Sequence, residues 1–232
     1  MRLLSFDISS STGWASIDTD IGPSSLKYGV IVLPRRLRDY ARHPWGYYLG
    51  AKAMAELLIQ QVRIRPIDEV VVEETNGARS RFTQKGLEYL HFAFLDAFAK
   101  EHTDIKLTYL NTSEWRKVTA TKMSREDKNR NAKLSRHKRR AKACGQKLDK
   151  KTLGIAGKIT IKHVAIRRVR ELYGIELLAK DDDIADAVLL LHAYLNGAEP
   201  CTGNDKDEST GSRRVSLLVR PKCISSPIRL DP

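Results

Sequence analysis

Residues 2–34 hold three β-rich runs, "RLLSFDI" (2–8), "GWASID" (13–18) and "LKYGVIVLP" (26–34), separated by only a few Ser, Thr, Gly, Asp and Pro residues. Turns this short join antiparallel neighbours, because a parallel pair needs a crossover of a dozen or more residues. The chain therefore opens with a three-stranded meander, and the pattern then changes. Positions 39–63 have helical spacing, with Tyr40, Tyr48, Ala51, Met54, Ala55, Leu58 and Val62 on one stripe. "DEVVVEE" (68–74) is a nearly continuous apolar strand that ends in two glutamates. A polar loop, a helix over 82–100, a strand "IKLTYLN" (105–111) and a helix opening at "TSEWRKV", with Thr112 or Ser113 as N-cap, complete this part. Strand–helix alternation after a meander predicts an α/β fold. Its five-stranded mixed sheet has an antiparallel half followed by parallel strands, with helices flanking it.

Residues 122–158 differ in kind, with fourteen Lys or Arg against three acidic residues and few large apolar ones. They read as a basic, partly ordered insertion. Helices resume over 159–173 and 183–195. From 198 to 232 the polar composition predicts a disordered tail, with "VSLLV" (215–219) as a weak strand signal. One folded domain over 1–197, interrupted by the insertion, is the expected organisation.

The formal net charge of +13 predicts a polyanionic partner, nucleic acid or an anionic membrane surface. Three cysteines with no CxxC pair argue against a disulfide framework or a zinc site. No signal-peptide pattern and no apolar run of about 18–20 residues is present, so a cytoplasmic protein without a membrane partner is expected.

Against this basic background the carboxylates are concentrated. Asp7 ends the first strand, and Glu73 and Glu74 end the fourth. Asp183 and Asp186, three residues apart in "KDDDIADAVLLL" (180–191), share a helix face. Ligand sites gather at strand ends of open α/β sheets. If the last helix packs beside the first strand, these acids converge, and their repulsion calls for cations. An all-oxygen donor set suits Mg²⁺, with Mn²⁺ as a substitute, and two ions together form the usual apparatus for phosphodiester attack. Asp181 and Asp182 suit the helix N-terminus, where acids meet the helix dipole favourably.

"LLSFDISSSTGWASID", "EVVVEETN" and "DDDIADAVLLLHAYL" together resemble the RuvC-like Holliday junction resolvases, particularly phage-type members, over roughly residues 1–197. The resemblance implies an RNase H-like nuclease domain. It places Asp7, Glu73, Asp183 and Asp186 as catalytic, metal-binding carboxylates, with Glu74 facing away. It also implies two Mg²⁺ ions per site, a homodimer, and paired symmetric nicks in four-way DNA junctions that leave 5′-phosphate and 3′-hydroxyl ends. "GKITIKHV" (157–164) resembles the family's lysine-bearing segment, making Lys158 and Lys162 candidates for contacting DNA phosphate. Arg79, Arg81, Arg116, Lys117, Arg139 and Arg140 are further DNA-binding candidates, and Trp115 is either a stacking or a core residue. Bacterial members carry a junction-opening aromatic three residues beyond the glutamate. Here that place is Asn76, and Phe82 is the candidate substitute. Two other readings compete: a flap or fork nuclease of the same fold, and an actin- or sugar-kinase-like ATPase suggested by "DISSSTG".

Overall fold

The computed structural model describes residues 1–37, 44–74, 80–145 and 157–200. Arg79, Asn76, Tyr40, the 146–156 stretch of the basic segment, and the tail from 201, including "VSLLV", lie outside the described residues. The strands are β1 (Arg2–Asp7), β2 (Ser11–Asp18), β3 (Lys27–Val32), β4 (Glu69–Glu73) and β5 (Lys106–Leu110). The helices are α1 (Trp45–Arg63), α2 (Arg81–Glu101), α3 (Thr112–Val118), α4 (Arg125–Ala143), α5 (Ile161–Tyr173) and α6 (Asp182–Leu195).

The five strands form one mixed sheet in the order β3-β2-β1-β4-β5. β2 is antiparallel to both β1 and β3, whereas β4 runs parallel to β1 and β5 parallel to β4. This is the predicted meander followed by crossover strands. β1 is central, and both of its faces are covered, which is why it reads as an unbroken apolar run.

Side chains alternate across the sheet and thereby assign each residue to a layer. Leu4, Phe6, Val70 and Val72 pack with α1 and α2 residues such as Met54, Leu58, Leu90 and Phe94. Leu3 and Val71 pack on the other side with Ala185, Val188, Leu189 and Val169 of α6 and α5. α6 is apolar nearly all round because it is sandwiched between the sheet and α5. Ser5, buried in β1, donates its hydroxyl to the Ala187 carbonyl at 2.8 Å, tying the central strand to α6.

Two details differ from the sequence expectation. On α1 the buried tyrosine is Tyr47, while Tyr48 is 48% exposed. Tyr47, Ala51, Met54 and Leu58 make a tighter i, i+4, i+7, i+11 row than any containing Tyr48. The N-cap of α3 is Asn111 rather than Thr112 or Ser113: its side-chain oxygen accepts from Ser113 N–H at 2.9 Å. Asn caps as well as Ser does, and the Thr112 hydroxyl donates to Glu73 instead.

Within the basic segment, residues 125–143 form one nineteen-residue helix, capped by Ser124, whose hydroxyl accepts from Asp127 N–H at 3.0 Å. Among the described residues no helix is long and apolar enough to cross a membrane.

Candidate active site

Strand alternation determines which acids face α6. Leu3, Ser5 and Asp7 fall on the α6 side of β1, and Glu69, Val71 and Glu73 on the α6 side of β4. Glu74 therefore points to the other side, where its carboxylate accepts from the Asn111 side-chain amide at 2.8 Å. Glu73 instead accepts a short hydrogen bond from the Thr112 hydroxyl at the start of α3.

The N-terminus of α6 completes the cluster through a close backbone approach. Gly13 of β2 is paired in register with Asp7. A Cβ built on Gly13 would lie 1.8 Å from the Asp183 carbonyl oxygen. Only a glycine admits the helix here, and the contact sets the first turn of α6 beside the end of β1. Asp183 and Asp186 then face Asp7 and Glu73 from the helix side.

Electrostatics reports the convergence. The Asp7 carboxyl is held well above the ordinary carboxylate range, first by burial and then by Glu73, Asp186 and Asp183, with Arg116 opposing. Asp186 is pushed up to about 7, again first by burial, then by the Glu73 charge, against the pull of Arg116 and Lys162. Among the described residues no three His, Cys, Asp or Glu side chains are close enough to clasp one ion. The donor chemistry nevertheless fits a hard divalent cation, since desolvated oxygens with a surplus of negative charge need a counter-charge.

Two cations that the chain itself supplies sit at the rim. The Arg116 guanidinium approaches Asp186 to 3.9 Å and lies over the Trp115 ring at 4.9 Å. Lys162 of α5 forms a short ion pair with Asp182 and reaches Asp183 at 4.0 Å. Asp182 thus serves as the partner of a lysine, while Asp181, the N-cap residue, accepts from Leu178 N–H at 3.0 Å. Trp115 is fully buried, which removes it from any stacking surface.

The remaining candidates spread outwards. Arg81, Lys117, Lys158, Arg139 and Arg140 are exposed, the first at the start of α2 and the last two on α4. Phe82 occupies the first turn of α2 with 73% of its surface exposed. The sequence reading missed Thr112 as the donor to Glu73 and the dual role of Gly13. The Thr112 contact depends on which residue caps α3, and the Gly13 contact crosses some 170 residues of chain.

The sequence matches no protein-family profile and no curated protein. Its fold does match solved structures. A Thermus thermophilus RuvC in complex with Holliday junction substrate superposes with a TM-score of 0.50 at 13% identity, covering 87% of this chain and 100% of the other. A second Thermus thermophilus RuvC structure gives 0.49 at 15% identity, with the same coverage. The chain accordingly carries an RNase H-like α/β fold of the kind found in the junction-bound RuvC.

Proposed function

We propose that this protein is a Mg²⁺-dependent endonuclease that resolves four-way DNA junctions by paired symmetric nicks, working as a cytoplasmic homodimer. The observation that carries this reading is the meeting of Asp7, Glu73, Asp183 and Asp186 at the β1, β4 and α6 ends, with Asp7 and Asp186 desolvated together. The fold likeness to a RuvC seen with a Holliday junction supports the substrate class.

In this reading the four carboxylates hold the metal. When bound, Mg²⁺ supplies positive charge at the attacking and leaving oxygens of a phosphodiester. Thr112 orients Glu73, and Gly13 sets the separation of α6 from Asp7. Arg116 offsets part of the acidic charge and lies where a DNA phosphate approaches the pocket. Lys162 holds Asp182, leaving Asp183 and Asp186 to face the pocket. Lys158, Arg81, Lys117, Arg139 and Arg140 neutralise backbone phosphates farther out, and Arg79, outside the described residues, is assigned the same role by its charge alone. A two-fold enzyme matches the symmetry of a junction cut twice. Phe82, exposed at the mouth of α2, is the side chain that opens the junction by stacking.

The test is cleavage of a mobile four-way junction beside flap, fork and linear duplex substrates. Asp7→Asn and Asp186→Asn should abolish Mg²⁺-dependent cutting while leaving junction binding intact, and the products should carry 5′-phosphate and 3′-hydroxyl ends. Cutting retained by Asp7→Asn would overturn the site, and preferred cutting of flaps would transfer the reading to the flap or fork nuclease. Phe82→Ala should slow junction cleavage at least tenfold without lowering the melting temperature.

A further inference from the structure

α4 has two faces of opposite character. Asp127, Asn131 and Leu134, at i, i+4 and i+7, bind it to the rest of the domain. Asp127 pairs with Arg167 of α5 at 3.6 Å, and Leu134 is 2% exposed. The Asn131 amide makes two hydrogen bonds to the Ile159 backbone: it donates to the carbonyl at 2.7 Å and accepts from the N–H at 2.9 Å. The helix is thus fastened just ahead of α5, the helix whose Lys162 reaches the acidic site.

Away from that anchor, Lys133, Arg136, His137 and Arg140 follow one another at i, i+3, i+4 and i+7 and line a cavity of about 200 Å³. Among the described residues no acidic side chain lines it. Like charges three and four apart destabilise a helix by a few tenths of a kcal/mol per pair. A row of this kind, without an acidic neighbour among the described residues and on a helix fastened by another face, is suited to an anionic ligand that neutralises several cations at once. The row spans about seven residue steps, about 10 Å of helix axis. One DNA strand presents a phosphate about every 3.4 Å along its axis, so the row matches about three consecutive phosphates.

We infer that this face of α4 is a phosphate-tracking site for one arm of duplex DNA, with Lys133, Arg136 and Arg140 each engaging the backbone and His137 lining the groove between them. Arg139 projects about 100° away from Arg140, so of that adjacent pair only Arg140 belongs to the row. The inference rests on the DNA-processing reading above for the identity of the partner, but not on cleavage.

The experiment measures binding of the full chain to a four-way junction and to linear duplex in EDTA across a range of NaCl concentrations. Two charge-matched triple variants are compared, Lys133→Ala/Arg136→Ala/Arg140→Ala and Lys128→Ala/Lys138→Ala/Lys142→Ala. The second removes three exposed cations from the other flank of the same helix. Alanine favours helix at all six positions, and circular dichroism verifies that α4 persists. The cavity triple is expected to flatten the slope of log K against log [NaCl] by about 2 to 3 on both DNAs. Its affinity at about 0.15 M salt should fall at least thirtyfold, against less than fivefold for the other triple. Equal losses from the two variants would overturn the site. A wild-type protein that binds but never cuts junctions would sink the resolvase reading and leave this comparison standing.

Discussion

Gly13 and Asp183 are in backbone contact, where the middle strand of the meander meets the last helix. No side chain fits at Gly13, because its Cβ would fall 1.8 Å from the Asp183 carbonyl oxygen. Since Gly13 is also the register partner of Asp7, one glycine positions both halves of the acidic site. Gly13→Ala is therefore expected to push the first turn of α6 outwards. The expected cost is about 1–3 kcal/mol of stability from overpacking and about a hundredfold in cleavage rate from misplaced carboxylates. Thermal melts and single-turnover cleavage check the two effects separately.

The raised carboxyls of Asp7 and Asp186 make a specific statement about pH. Both hold their protons more tightly folded than unfolded, so the folded state binds more protons between the unfolded value near 3.8 and the folded value, about 7 for Asp186. Their contribution to stability is present in acid and is lost as pH rises through that window. In EDTA, the wild type should lose stability from about pH 4 to pH 7 by an amount on the order of a few kcal/mol. Asp186→Asn should flatten the decline, and added Mg²⁺ should reverse it. Chemical denaturation at stepped pH gives the profile.

His91 acts in the opposite direction. It lies beside the Ile8 backbone and 6.0 Å from the Tyr109 ring, and burial lowers its pKa to about 4. The unfolded state then binds the extra proton between about pH 4 and 6.5, so this contribution is absent in acid and grows as pH rises through that window. His91→Phe in an Asp186→Asn background should remove the rising component between about pH 4 and 6.5 and steepen the decline that Asp7 leaves. A slope unchanged by that substitution would exclude His91 as its source.

At the far end of the sheet, Glu69 is buried among donors. Its Oε1 accepts from Thr108 at 2.5 Å and from Tyr194 at 2.6 Å, and pairs with Lys106 at 2.7 Å. This network ties β4 and β5 to the end of α6. Glu69→Ala leaves the Thr108 and Tyr194 hydroxyls without this acceptor and Lys106 with only the Tyr194 oxygen, and is expected to cost about 3 kcal/mol. Cleavage at a temperature where the variant stays folded should be unchanged, because the network lies a full strand length from Asp7.

The element order, the antiparallel-then-parallel sheet and the placing of acids at strand ends were legible from residue patterns, because alternation and helical period are local. The choice of Glu73 over Glu74 came from the family resemblance, and strand alternation in the structure turns the two to opposite faces. Other features needed the assembled chain. Whether Trp115 meets solvent or core depends on how α3 lies against α6, and the structure buries it completely. That Asp182 belongs to Lys162 and not to the helix end alone depends on the packing of α5. In the basic segment, composition announced charge but not direction. The sorting of cations into an anchored flank and a cavity-lining row appears only once Asn131 meets Ile159. Sequence by itself nominated the residues for the proposed chemistry, since strand ends and helix faces follow from spacing and the family resemblance selects among them. Tertiary structure alone decided how near they come, since a contact such as Gly13 against Asp183 joins distant parts of the chain, and no local pattern encodes a distance.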